Sequence, residues 1–240
     1  RAALGQKQLT LPDYAAKIKT ADDELQALYR DLLIGVTGFF RDIDAFDFLS
    51  NRILIKDVSD LEPDQDYRVW VCGCSTGEEA YSLGMLLLEQ FERLAKPVNL
   101  KVFATDVNRE YLNIASEGLY GTDALVDVPV HLREKYFNDM GGGTYKVCQA
   151  LRKIIIFSEH NLLKNPPFTR MNLVSCRNLL IYLKADAQAP AVTAFNFSLI
   201  TGGVLFLGAS ETLGALADDF EPIDKQLKIY RKIRESALSV

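Results

Sequence analysis

One stretch constrains this chain more than any other: Val69-Trp70-Val71-Cys72-Gly73-Cys74-Ser75-Thr76-Gly77-Glu78-Glu79-Ala80-Tyr81. An apolar run leads into a small, glycine-containing turn, and a helix with acidic residues in its first turn follows. A strand feeding a helix in this way is how α/β proteins bring backbone N–H groups and a positive helix end to a ligand. Such joints also occur with no ligand, so the turn speaks to fold class before it speaks to chemistry. Its acids already limit the ligand, because a carboxylate at Glu78 repels a pyrophosphate.

The rest of the chain fits an α/β core with an appendage. Its 240 residues are 48% hydrophobic and 25% charged, an ordinary globular balance. No apolar run reaches the ~18 residues that a membrane span needs, and the N-terminus does not read as a signal peptide. The net charge of -5 argues against nucleic acid as the main partner. Cys72, Cys74, Cys148 and Cys176 form no C-x-x-C pair and read as reduced, mostly buried thiols. His131 and His160 sit in no metal-ligand pattern, so no metal is expected.

Residues 1–60 read as a helical lead-in. Tyr14, Ile18, Leu25, Leu28, Leu32 and Leu33 recur at helical spacing, with Thr20 as a candidate cap, and a break falls at Gly35. The cluster Val36-Thr37-Gly38-Phe39-Phe40-Arg41-Asp42 is either an aromatic-pinned loop or a lid whose Thr37 and Arg41 face a ligand. A second helix is expected over 43–58, before the polar turn at 59–66.

Residues 61–240 then alternate strand and helix. Strands are expected at 68–72, 100–104, 153–157, 171–176 and 203–207, with helices at 77–94, 109–116 and 186–199. Pro190 suggests that the last of these helices starts close to it. The segments 221–225 and 227–232 read as a terminal hairpin. A small β insertion is expected at about 136–152, around Gly141-Gly142-Gly143. Asp106 ends the second strand, where a carboxylate either accepts from ribose hydroxyls or caps the next helix. Arg177 and Asn178 end the fourth strand, where they either face a ligand on the edge of an open parallel sheet or only pack against a helix or meet solvent. Five such strands and a terminal antiparallel pair describe a Rossmann-like, seven-stranded methyltransferase sheet rather than an ordinary dinucleotide fold.

Six blocks in order sharpen this reading. They are Val36–Asp42, Gly73-Cys74-Ser75-Thr76-Gly77-Glu78-Glu79-Ala80-Tyr81-Ser82, Ala104-Thr105-Asp106, Asn161-Leu162-Leu163, Ser175-Cys176-Arg177-Asn178-Leu179-Leu180-Ile181-Tyr182, and Gly202-Gly203-Val204-Leu205-Phe206-Leu207-Gly208-Ala209-Ser210-Glu211. Together they resemble the CheR family of chemotaxis receptor methyltransferases, in the version found as a domain of fusion proteins. The resemblance implies methyl transfer from S-adenosylmethionine to glutamate side chains on the cytoplasmic helical region of a chemoreceptor, giving the glutamate methyl ester and S-adenosylhomocysteine. The cofactor contacts it implies are Thr37, Arg41, Glu78, Asp106, Asn161, Leu162, Arg177 and Asn178. No acid/base residue is assigned, since a glutamate nucleophile is already ionised near neutral pH; Arg41 is the expected electrostatic contributor. Some relatives dock a receptor's C-terminal pentapeptide on the β insertion, but the short loop here implies no tight tether binding. A monomer is expected.

Gly35, Asn172 and Asn196 stand where the family often has Asn, Asp and His. They leave open a second reading, a regulatory domain that binds the cofactor or its product without transferring a methyl group. A small-molecule methyltransferase is a further alternative, because fold does not fix substrate.

Overall fold

The computed structural model describes residues 37–62 and 64–235. The helical pattern expected over 1–33 and the break at Gly35 lie outside them. The described chain opens with α1 (Ile43–Phe48), a π-helical stretch at Leu49–Leu54, and α2 (Ile55–Ser59). Then come β1 (Tyr67–Cys72), α3 (Glu78–Arg93), β2 (Leu100–Asp106) and α4 (Arg109–Glu117). An insertion follows, with β3 (Leu119–Gly121), α5 (Val130–Tyr136), β4 (Phe137–Gly141) and β5 (Thr144–Val147). The chain continues through α6 (Gln149–Ile154), β6 (Ile155–Glu159), β7 (Met171–Cys176) and α7 (Ala185–Ser198). It ends in β8 (Leu199–Leu207), β9 (Phe220–Asp224) and β10 (Ile229–Lys232).

The main sheet has seven strands in the order β6-β2-β1-β7-β8-β10-β9. The first five are parallel, while β10 runs antiparallel to both β8 and β9. This is the expected sheet with its terminal antiparallel hairpin. Strand β1 shows why these residues make a buried strand. Val69 and Val71 enter the core on one face, with α1, α2 and α3, while Trp70 and Cys72 enter the core on the other, with α7. Both faces are covered from Val69 to Cys72, so that part of the strand is apolar throughout. Each fully buried aliphatic or Phe side chain of such a strand contributes roughly 1.5–3 kcal/mol. Trp70 adds a hydrogen bond from its indole Nε1 to the Thr105 hydroxyl at 2.9 Å, tying β1 to β2.

Four local expectations need correction. The third strand begins at Ile155, not Lys153, because residues 149–154 coil into α6, whose Leu151 and Ile154 pack on α3 near Gly84. Gly84 has no room for a Cβ, which would lie 2.8 Å from Leu151 Cδ1. Helix α7 begins at Ala185 and passes through Pro190. The proline withholds only the N–H owed to the Asp186 carbonyl, and Asp186 is exposed to solvent that can serve in its place. Strand β8 starts at Leu199 rather than Gly203. The helix expected at 43–58 carries a π-helical middle, whose wider turn brings the adjacent pairs Leu49–Ser50 and Ile53–Leu54 into the core together.

The insertion forms its own three-stranded sheet in the order β3-β5-β4. Its first strand, β3, lies before the expected insertion. Gly118, at φ 64°, caps α4 and turns the chain into it.

Candidate active site

Strand order reverses beside β1, whose neighbours are β2 and β7. In an open α/β sheet the crevice at the carboxyl ends of such strands is the ligand site. The chain builds this edge with short, tightly bonded turns. After β1, the N–H groups of Gly73 and Cys74 donate to the Thr105 carbonyl at 2.8 and 2.9 Å. Gly73 has φ 69° and a Cβ there would lie 3.0 Å from Leu179. Gly77 has φ 99° and precedes α3, which opens without a side-chain cap.

Glu78 and Asp106 give this edge its charge. Glu78 is buried, and the Thr76 hydroxyl donates to its Oε1 and Oε2 at 2.8 and 2.7 Å. Burial raises its pKa above the ordinary carboxylate value, against the opposing bond from Thr76. Asp106 is half-buried. Its Oδ2 accepts from the Ser75 N–H at 2.9 Å and its Oδ1 from the Asn108 N–H at 2.8 Å. Burial raises its pKa too, and backbone hydrogen bonds from Asn108 and Ser75 oppose the shift. Asp106 does not cap α4. Asn108 does, accepting from the Glu110 and Tyr111 N–H groups at 3.0 and 3.4 Å. Each Asp106 oxygen has a second lone pair for a hydroxyl donor.

The remaining expected residues are held in different ways. Thr37 is half-buried and Arg41 exposed, in a segment that is pinned where the sequence suggested. Phe39 packs edge-on against Tyr120 and Phe137 at 4.9 and 5.4 Å. The Phe40 N–H donates to the Ser82 hydroxyl at 3.0 Å. Asn161 and Leu162 follow β6. The Asn161 Oδ1 accepts from the Leu163 N–H at 3.0 Å, and Leu162 packs on the α7 side of the core. Asn178 takes φ 58° against Gly208, where a Cβ would lie 2.8 Å from the Asn178 nitrogen.

Arg177 takes the helix-packing course that the sequence left open. Its side chain is 2% exposed. The guanidinium carbon sits 5.1 Å from the Phe46 ring centroid and 4.6 Å from that of Phe206. Its Nη2 donates to Asp42 Oδ2 at 2.7 Å, and its Nη1 lies 3.8 Å from Glu79 Oε2. Arg177 is thus turned inward, toward Asp42 and Glu79, rather than exposed at the sheet edge.

That arrangement exposes residues to which the sequence reading gave no role. Glu79 accepts from the Ser175 hydroxyl at 2.7 Å. Burial raises its pKa, while Arg177, Ser175 and Arg41 pull it down and Glu211 pushes it up. Glu211 is buried and accepts three backbone N–H bonds, from Leu179 at 2.9 Å, Leu180 at 2.8 Å and Gly208 at 2.5 Å. It locks the loop after β7 to the loop after β8. Its place in the Gly202–Glu211 block was the only signal in the sequence.

Asn172 and Asn196 lie elsewhere. Asn172 is at the start of β7, the opposite end from the crevice, and its Oδ1 accepts from the Arg68 N–H at 2.9 Å. Asn196 is on α7 and donates to Asp219 at 2.9 Å. Gly35 lies outside the described residues.

The donor set fits a sulfonium cofactor with a zwitterionic tail. Two carboxylates line the turn, the first-turn N–H groups of α3 have no side-chain cap, and neither feature makes a phosphate cradle alongside Glu78 and Glu79. The sheet order with antiparallel β10 and this acidic crevice define an S-adenosylmethionine-dependent methyltransferase domain.

The family described as CheR methyltransferase, SAM binding domain, matches residues 35–229. The chain is 42% identical over 214 residues to an uncharacterized 104.1 kDa protein in the hypE 3′ region of Rhodobacter capsulatus, covering 89% of this chain and 22% of that protein. It is 33% identical over 198 residues to a chemotaxis protein methyltransferase of Borreliella burgdorferi, covering 81% of this chain and 70% of the relative. It is 31% identical over 219 residues to chemotaxis protein methyltransferase 2 of Vibrio cholerae, covering 90% and 74%. The chain belongs to the CheR methyltransferase family, whose S-adenosylmethionine-binding domain it comprises. It spans about a fifth of the Rhodobacter relative. Among the described residues, no helix is long and apolar enough to cross a membrane, and the four cysteines are free thiols.

Proposed function

We propose that this domain methylates glutamate side-chain carboxylates on the helical cytoplasmic region of a chemoreceptor-like protein. The observation that carries the reading is the charge at the crevice: Glu78 and Asp106 around the turn, and the exposed Arg41 near enough to Glu79 to draw its pKa down. When bound, S-adenosylmethionine supplies an electrophilic methyl group on a sulfonium. Glu78 and Asp106 favour that cation, and Asp106 has lone pairs for the ribose. Thr37, Asn161, Leu162 and Asn178 complete the cofactor's surroundings. An acceptor glutamate is ionised at neutral pH and needs no general base. Arg41 draws that carboxylate in and holds it in line, which is an orientation effect.

The chemotaxis methyltransferase relatives support the receptor as partner. The cofactor-binding regulatory reading loses two of its three supports, since Asn172 and Asn196 stand away from the crevice. The turn between β4 and β5 is only Gly142-Gly143. It supports the absence of tight pentapeptide binding, and a micromolar complex with such a peptide would count against this.

The test is transfer from methyl-labelled S-adenosylmethionine to receptor cytoplasmic fragments. The expected result is label that mild base releases as methanol. Cofactor binding with no transferred label would overturn the proposal.

A further inference from the structure

We infer that Tyr120 is a positioning residue for the cofactor, acting from the inserted sheet through Thr76 on Glu78. The inference rests on the reading of Glu78 as a cofactor contact. Tyr120 is the middle residue of β3, in the insertion rather than the main sheet. Its hydroxyl donates to the Thr76 carbonyl at 2.6 Å. The Thr76 hydroxyl in turn donates to both Glu78 oxygens. Two successive hydrogen bonds thus join the insertion to the carboxylate that opens α3.

The glycine of the turn makes this approach possible. A Cβ on Gly77 would lie 3.1 Å from the Tyr120 hydroxyl and 2.9 Å from Ala115 Cβ. Gly77 therefore serves two needs, its φ of 99° and the close passage of a tyrosine. The ring is held independently of its hydroxyl. Phe39 meets it edge-on at 4.9 Å, Tyr81 at 6.1 Å, and the residue is 6% exposed. Burial and the nearby Glu78 charge keep the phenol protonated, so it remains a donor. Removing that donor leaves the Thr76 carbonyl without its partner and the Thr76–Gly77 peptide held only through the Gly77 N–H, which donates to the Cys74 carbonyl at 2.9 Å. Glu78 then hangs from a less firmly held turn, although its own bonds are untouched.

Tyr81 supplies a matched control. Its hydroxyl donates to the Ala115 carbonyl at 2.7 Å and also meets Arg152, so it has buried bonds of its own but none to the turn. Tyr120→Phe, Tyr81→Phe, Glu78→Ala and the Tyr120→Phe/Glu78→Ala double variant are compared by calorimetric binding of S-adenosylhomocysteine to the whole 240-residue chain. Tyr120→Phe is expected to weaken binding about fivefold, the weight of one net hydrogen bond. Tyr81→Phe is expected to lower the melting temperature as much while changing affinity less than about twofold. In the Glu78→Ala background the Tyr120 effect is expected to shrink below about twofold, because the two residues share one path. If Glu78→Ala does not fold, Thr76→Val replaces it in the cycle.

Unchanged affinity in Tyr120→Phe overturns the inference, as does a fivefold loss that persists without Glu78. If Glu78→Ala itself binds like the parent, the reading of Glu78 as a contact fails and takes the inference with it. A Tyr81→Phe loss equal to that of Tyr120→Phe shows that general loosening, not positioning, is at work.

Discussion

Glu211 offers the sharpest test of how the crevice is held. Its Oε1 accepts from Leu179 and Leu180, its Oε2 from Gly208, and all three donors are backbone N–H groups. In Glu211→Gln the amide oxygen can keep the Leu179–Leu180 pair. The amide nitrogen then meets the Gly208 N–H, donor against donor. One charge-assisted bond is lost and one buried N–H is left unpaired, which sets the cost at about 3 kcal/mol. Gly208 cannot move away, because even a Cβ on it would lie 2.8 Å from the Asn178 nitrogen. For a domain of this size, 3 kcal/mol lowers the melting temperature by about 6–12 °C. Urea unfolding followed by circular dichroism measures this, with an unchanged m-value confirming that the loss is in native stability. A Glu211→Gln protein within about 1 kcal/mol of the parent would show that the N–H donors have no need of a carboxylate.

Three further outcomes are expected. Arg177→Met keeps apolar contact with Phe46 and Phe206 but gives up two cation–π contacts and a bond to the well-exposed Asp42, a loss of about 2 kcal/mol in urea unfolding; a gain in stability would show that the buried cation is itself a burden. Glu79 has a raised pKa, so the folded state keeps a proton that the unfolded state releases once pH passes the ordinary carboxylate value of about 4.3. Its contribution is therefore lost as pH rises through that window up to the folded pKa, and the parent should lose stability relative to Glu79→Gln there; a parent that gains relative to the variant would reverse the sign. Arg41→Ala is expected to lower kcat by about tenfold to a hundredfold through lost orientation and charge, while S-adenosylhomocysteine binding weakens less; intact turnover would remove Arg41 from the mechanism.

Much of this fold was legible because strands buried on both faces leave a plain mark. Val69–Cys72 and Met171–Cys176 read as strands from apolar runs bounded by polar turns, and their ends located the crevice. Elsewhere the same signal misled. Lys153 to Phe157 reads as one nearly continuous apolar run, yet its first two residues end helix α6, because Leu151 and Ile154 are spaced to cover one helix face while Ile155 onward pairs with β2. Pro190 looked like a start signal and is tolerated because the carbonyl it fails to bond is at an exposed turn.

The candidate site divides in the same way. Asp106 was visible because it ends a strand, and Glu78 because it opens a helix just after a glycine turn. The partners that hold the edge together were not, since the Arg177–Asp42 bond spans 135 residues and the Ser175–Glu79 bond 96. No local spacing reports such pairs. Arg177 was correctly placed at a strand end, but its inward course depends on Phe46 and Phe206 from two distant elements. Tyr120 was passed over for the same reason: its importance comes from Gly77, 43 positions earlier in the chain, having no side chain.

Residue-resolved mass spectrometry of a receptor helical fragment, after incubation with this domain and S-adenosylmethionine, tests whether the acidic crevice and Arg41 deliver a methyl group to a carboxylate. Methyl groups are expected on glutamate side chains alone, removed by mild alkali and absent when those glutamates are changed to alanine. Methyl groups that resist alkali, or that sit on another residue type, would contradict this.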